Sequence, residues 1–423
     1  MATSWTVLST TLLAGAAVAL TGCVENQPAA DGTTAAEVIA VTSTDDACEV
    51  SQATHASGAT SFSITNSGDQ ITEFYVLADD HLRIVSEREN IAPGQEASLT
   101  VTLQPGTYYT ACKPGMRGAN VGEAEFTVTG DEVELSGEDQ ELFDQAVADY
   151  INFVKDQVAE LQPQAEKFVD AYVGGDDDTA RELYAQVRVP YERIEPVAET
   201  LGVLDPRIDY REIDYLAEAD LLEQDDPTFT QWLGFHRIEK DLWPPADGDL
   251  QPDGSSALEG WEPSDDATRK ELGDTLVADV DKLYDAVHDP DFIADQQITI
   301  ATVSNGAMGL LEEIAVGKVT GEENWWSHKD LWDFQANLEG SRIAFDLVAP
   351  IAERKGDEGK ELVSEISDAY AALETELATY GSLDEGFVSY DTVDDAGRKE
   401  LTAKLDAVRE PLSRLTNAVL GIS

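Results

Sequence analysis

The hydrophobic period of this chain changes near residue 130, and that change limits the fold more than any other feature. Between about 38 and 130 the apolar residues alternate. Phe62 and Ile64 do so within Ser61–Thr65, as do Leu99, Val101 and Leu103, and Phe126 and Val128. Turn sequences punctuate these runs at Asn66-Ser67-Gly68, Ala92-Pro93-Gly94 and Gln104-Pro105-Gly106. About seven short strands in about 90 residues predict a β-sandwich. From about 138 the period becomes helical. Leu142, Phe143, Ala146, Val147, Tyr150, Ile151, Val154, Val158 and Leu161 form one wide apolar stripe. Further stripes run over 178–201, 228–243, 298–319, 329–350, 358–380 and 394–420. The expectation is a multidomain chain: an all-β sandwich over 38–130, then an all-α domain of two helical bundles over 138–423. Residues 247–266 read as a long polar loop.

Charge narrows the function. The chain has 84 Asp and Glu against 27 Lys and Arg, a formal net charge of −57. A protein so acidic has no basic face for nucleic acid and cannot dock on an anionic membrane by charge. Most of the excess reads as solvated surface, but it is compatible with cationic ligands, metals above all.

The amino terminus carries an apolar run, Leu8 to Leu20, of signal-peptide length. It leads into Leu20-Thr21-Gly22-Cys23, which resembles a bacterial lipobox, although no Lys or Arg precedes the run. The reading is a signal peptide over 1–22, a lipid on Cys23 and a polar tether over 23–37. That places the protein outside the cytoplasm, anchored to the cell membrane in the envelope or periplasm. Cys48 and Cys112 remain, in a compartment where a disulfide persists.

Three acidic motifs fall on helical stripes. In Thr228–Trp243 the residues Trp232, His236, Glu239 and Trp243 are spaced 4, 3 and 4, so a His–Glu pair sits between aromatic residues on one face. Buried carboxylates need a partner or a metal. A hydrogen-bonded pair that merely packs is the alternative. Glu192 and Glu195 are three apart on a helix disturbed by Pro190 and Pro196; solvated pairing with Arg188 and Arg193 is their plainer reading. Glu312 and Glu313 follow Gly306 and Gly309, and Glu313 shares a face with them and with Gly317, small residues that admit a close neighbour. Carboxylates and His from several helices are the material of metal sites in bundles.

These motifs, with Val187–Pro196, Gly234–Glu239, Leu311–Ala315, Thr320–Glu323 and Asp330–Asn337 in this order, make 138–423 resemble the imelysin-like domain of the EfeO family. That is a family of extracytoplasmic bacterial iron-uptake proteins. The resemblance implies an iron-binding component, not an enzyme, that works beside a membrane iron permease and a haem-dependent peroxidase. It implies metal ligands at Glu192 and Glu195, a downstream aspartate placed at Asp209, and a late glutamate at Glu312 or Glu313. His236 and Glu239 form the family's His-x-x-Glu marker. The cargo would be iron, as Fe3+ or Fe2+, with copper or zinc as other candidates.

Residues 38–130 resemble the cupredoxin-like domain that precedes the imelysin-like domain in long EfeO members, through Cys48-Glu49, Glu87–Gly94, Leu103–Gly106 and the Cys112 segment. His55 and His81 lie outside the interval from Cys112 to Met116, so the arrangement does not fit a blue-copper site. A Cys48–Cys112 disulfide and a metal site using these cysteines with Glu73 or Met116 both stay open. Two other functions compete. Imelysin-like domains were once classed with peptidases, but zinc proteases favour His-Glu-x-x-His and no second histidine stands near His236. A polymer- or carbohydrate-binding lipoprotein would use tryptophans such as Trp261, Trp325 and Trp326.

Overall fold

The computed structural model describes residues 38–131, 139–218 and 231–422. The signal peptide, Cys23 and the tether lie outside the described residues, as do the first residues of the 228–243 stripe.

The alternating segments form nine strands among the described residues: β1 (Val38–Ser43), β2 (Cys48–Val50), β3 (Thr54–Ala56), β4 (Gly58–Asn66), β5 (Thr72–Leu77), β6 (Ile84–Ile91), β7 (Glu96–Leu103), β8 (Gly106–Pro114) and β9 (Val121–Thr129). They build two sheets, in orders β2-β1-β4-β7 and β3-β9-β8-β5-β6. The pairs β1–β4 and β3–β9 are parallel. Period-two alternation turns Phe62, Ile64, Phe74 and Phe126 inward, and Phe62 meets Phe74 and Phe126 at ring-centre distances of 5.1 and 5.7 Å.

Cys48 of one sheet and Cys112 of the other form a disulfide across this core, 64 residues apart in sequence. A crosslink closing a loop of that length restricts the unfolded chain. The double variant Cys48→Ala/Cys112→Ala is expected to lose about 2–4 kcal/mol of stability, measured by chemical denaturation against the oxidised protein.

The helices are α1 (Gln140–Val173), α2 (Asp177–Glu192), α3 (Glu195–Ala198), α4 (Leu204–Asp209), α5 (Glu212–Glu218), α6 (Gly234–Leu242), α7 (Asp266–His288), α8 (Phe292–Asp295), α9 (Ile300–Glu313), α10 (Asp330–Glu353), α11 (Asp357–Leu377), α12 (Asp395–Leu412) and α13 (Leu415–Leu420). One group packs α1 with α2 and α7; the other packs α9–α13. A single apolar core runs through both, from Phe143 to Val419.

Two helix limits differ from the sequence reading. The α2 helix stops at Glu192 and α3 starts at Glu195, so the Glu-x-x-Glu segment straddles a break instead of lying on one helix. Pro190 and Pro196 explain it: neither offers an N–H, and Pro196 suits a first turn. The second difference is α7, a 23-residue helix absent from the sequence-read stripes. Its apolar face, Leu272, Leu276, Val280, Leu283 and Val287, is interrupted by buried Asp279, which bonds Arg207 at 2.9 Å and Lys282 at 2.7 Å.

The sandwich is bonded directly to the helices. Thr100 Oγ1 donates to Asn417 at 2.8 Å, Asn305 donates to the Thr100 carbonyl at 2.8 Å, and Lys113 meets Glu218 at 2.8 Å. This docking leaves a cavity between β5, β6 and the α3–α4 region.

Candidate metal centre

Five short chain segments converge inside the helical domain. The end of α2 supplies Arg188 and Glu192, the start of α3 supplies Glu195, and the end of α4 supplies Asp209. The first turns of α6 bring His236, and the turn before α10 brings Glu323. Glu192, Glu195, Asp209 and Glu323 each place one oxygen within 4.8 Å of the others, and Asp209, His236 and Glu323 form a second such group.

Glycines permit the convergence. Gly234 opens α6 at φ +85°, and a Cβ there would run into the Ile208 carbonyl. The missing side chain lets α6 start directly beside Asp209, which puts His236 Nε2 3.6 Å from Asp209 Oδ1. Gly340 on α10 likewise abuts the Arg193 carbonyl. One turn before it, Asn337 donates to the Glu192 carbonyl and to Glu195 Oε2, both at 2.7 Å. Gly234→Ala forces both a strained φ and a clash. It is expected to cost about 1–3 kcal/mol and to weaken metal binding, read from a thermal melt and a titration on the same sample.

Two cations are built into the cluster. Arg188, with no exposed surface, bonds Glu192, Asp209, Glu323 (3.2 Å) and Asp333 (3.1 Å). Lys318, 1% exposed, lies 3.4 Å from Glu192, 3.3 Å from Glu195, 3.7 Å from Glu323 and 3.4 Å from Glu313. It ends a π-helical turn, Ile314–Lys318, that continues α9 and swings the ammonium inward. Six carboxylates thus face two buried cations.

The electrostatics follow. Burial, followed by the field of Asp333, holds the Glu192 carboxyl well above its usual range despite Lys318 and Arg188. Burial and then Glu192 do the same to Glu195. Burial also opposes charge on Glu323, yet Lys318, His236 and Arg211 together hold it well below the usual range. Burial and Arg188 disfavour a charged His236, but Glu239, Glu323 and Asp209 outweigh them and push it up to about 9.

Glu239 supports His236 from behind. It accepts from the Ser327 N–H at 2.9 Å and faces His236 Nδ1 at 3.2 Å. That fixes the ring and turns Nε2 toward the carboxylates, as carboxylate-supported histidines do at metals. Nε2 is buried, 3.4 Å from Glu323 Oε1, without meeting hydrogen-bond geometry to any described residue. An imidazole nitrogen that faces two carboxylates at 3.4 and 3.6 Å, longer than a good hydrogen bond, suits a metal placed between them.

The sequence-read residues divide. Glu192, Glu195, Asp209, His236 and Glu239 come together. Glu312 stands apart, paired with Arg88 at 2.9 Å and with Arg409. Glu313 lies across Lys318 and faces the cavity beside the sandwich. Sequence reasoning did not assign Glu323, Asp333, Arg188 or Lys318 to the site. Glu323 stood in the quoted Thr320–Glu323 motif, and its place just before two tryptophans was the available signal.

The outer side of the cluster is closed by aromatics. A groove of about 930 Å3 is lined by Trp243, Trp325, Trp326 and residues 249–252 of the long loop. The loop is fixed there: Trp325 Nε1 donates to the Leu250 carbonyl at 2.9 Å, and Gln251 bonds Glu212. Lys240 sits 4.8 Å from the Trp326 ring centre and 5.2 Å from that of Trp261. Trp261, Trp325 and Trp326, considered for sugar stacking, thus already have partners within the chain. No second histidine joins His236: His328 lines the outer groove and His288 stacks on Tyr284.

Comparison with known proteins agrees with both halves. The imelysin family profile matches residues 146–415, and the cupredoxin-like domain profile matches residues 12–123. The iron uptake system component EfeO of Escherichia coli O157:H7 is 35% identical over 388 residues, covering 91% of this chain and 92% of that protein. The proteins of the same name from Escherichia coli K12 and Shigella flexneri match with the same identity and coverage. The chain therefore belongs to the EfeO family, with a cupredoxin-like domain ahead of an imelysin domain.

Proposed function

We infer that this protein is an iron-binding component of an iron uptake system, a carrier of iron and not an enzyme. The observation that supports it most is the convergence of Glu192, Glu195, Asp209 and Glu323 oxygens within 4.8 Å. Hard carboxylate oxygens suit Fe3+; the His236 imidazole adds a ligand suited to Fe2+, zinc or copper. Arg188 is held by four carboxylates and acts as the permanent counter-charge. Lys318 ends a flexible stem and holds Glu192 and Glu195 in place until iron takes over their oxygens. Glu239 orients His236 and is not itself a ligand.

On this reading the lipid on Cys23 keeps the protein at the outer face of the cell membrane, the tether over 23–37 gives it reach, and iron passes to a membrane permease beside a haem-dependent peroxidase. The domain limits 38–130 and 138–423 complete the proposal. The test is metal analysis of the purified full chain after equal exposure to iron, zinc and copper. Retention of stoichiometric iron supports the reading. Absence of retained iron, or cleavage of a protein substrate that His236→Ala abolishes, would overturn it.

A further inference from the structure

The cavity between the cupredoxin-like and imelysin domains has a volume of about 500 Å3. Nine carboxylates line it against two fixed cations, Lys113 and Arg211. Both cations are already engaged: Lys113 meets Glu218 at 2.8 Å, and Arg211 meets Asp214 at 2.5 Å. Three of the other acids are also spoken for, Glu73 by Tyr75, Asp205 by Tyr191 and Glu123 by His81.

Four carboxylates remain beside these pairs: Glu87 and Glu89 on β6, Glu199 in the turn after α3, and Glu313 at the end of α9, which also faces Lys318 at 3.4 Å. Burial first, and then the fields of Glu73 and Glu313, push the Glu87 carboxyl up to about 8, with the Glu199 side chain close enough to hydrogen-bond it. Glu89 is 9% exposed, and its Oε2 has no hydrogen-bond partner among the described residues. A carboxylate oxygen buried without a partner costs free energy unless a cation takes it up. Glu89 and Glu199 are also held well above the usual range by burial and then by neighbouring acids, Glu313 first for Glu89 and Glu87 first for Glu199. The cavity wall thus carries repulsion that one multivalent ion would remove.

We propose that this interdomain cavity is a second cation site, in which Glu87, Glu89, Glu199 and Glu313 hold a hard, oxygen-seeking multivalent ion that keeps part of its water shell. The four do not bring one oxygen each within 4.8 Å of one another as the inner cluster does, so bridging water belongs in the coordination. Donors for softer metals are scarce here: Met116 is the one sulfur side chain lining the cavity. Cys112 is in a disulfide, and the His81 ring is stacked on Tyr109 with Nδ1 bonded to Glu123 at 2.7 Å. Lys318 separates this site from the inner one, touching Glu313 on one side and Glu192 and Glu195 on the other. Glu313 therefore belongs to the outer site.

The site does not depend on the iron-uptake reading, and its test isolates it. The full chain carrying Asp209→Asn and Glu323→Gln, which disables the inner cluster, is titrated with Tb3+ alone. Tyr75 and Tyr210 line the cavity and sensitise terbium luminescence there. The expected result is saturation at one ion per chain and a raised melting temperature. Adding Glu89→Gln and Glu199→Gln is expected to weaken that binding at least 30-fold and to abolish the cation-induced shift. These changes remove repulsion, so the ligand-free variant should melt no lower than its parent. Luminescence that never saturates, or that survives Glu89→Gln/Glu199→Gln unchanged, would show terbium on the general acidic surface and overturn the proposal.

Discussion

Replacing Arg188 with methionine is expected to destabilise the protein by about 3–5 kcal/mol, the usual cost of removing one partner from a buried ion pair. Methionine fills much of the same space, so packing is not the issue. What is lost is the only group among the described residues that bonds Glu192, Asp209, Glu323 and Asp333 at once. Asp333 would keep only Asn324 among the described residues, with its Oδ1 already unpartnered. Lysine should recover part of the stability, because it restores a charge but not a planar fork that reaches four carboxylates. Urea denaturation of the three proteins measures this. Equal midpoints for Arg188→Met and the parent would mean that the cluster is not held by this guanidinium.

The second large effect concerns binding. Asp209 and Glu323 belong to both groups of closely spaced ligand atoms, the carboxylate set and the His236 set. Asp209→Asn with Glu323→Gln removes two charged oxygens while keeping side-chain volume and some hydrogen bonding. Iron affinity is expected to fall at least 100-fold, since even changes to supporting residues at metal sites cost 10–100-fold. His236→Ala should weaken zinc or Fe2+ more than Fe3+, because an imidazole suits the softer ions. Glu312→Gln should leave affinity unchanged, since that carboxylate is committed to Arg88 and Arg409. Competitive titrations separate these outcomes from unfolding when a thermal melt accompanies each variant.

The sequence reveals much of this architecture, and its gaps have physical causes. Alternation is a local signal, so the strands of the sandwich are readable, and the switch at 130 marks the helices. The α7 helix escapes because Asp279 interrupts its apolar stripe, and only the fold shows that Arg207 and Lys282 satisfy it. The Glu-x-x-Glu and His-x-x-Glu pairs are visible through spacing. Glu312 and Glu313 cannot be told apart that way: neighbours on a helix point about 100° apart, and the sequence does not say which side meets which neighbour. Glu323 and Lys318 are harder still, since their roles depend on a turn and a π-helical end that place them against α2. The acidic composition hides all of these, because a few functional carboxylates sit among 84 acidic residues.

The most direct test of the account is anomalous diffraction at the iron edge from crystals of the full chain grown with ferric iron. The account predicts a strong peak bounded by Glu192, Glu195, Asp209 and Glu323, with the Lys318 ammonium displaced from the two glutamates. Iron-loaded crystals with no peak among these four residues, and Lys318 still seated on Glu192 and Glu195, would contradict it.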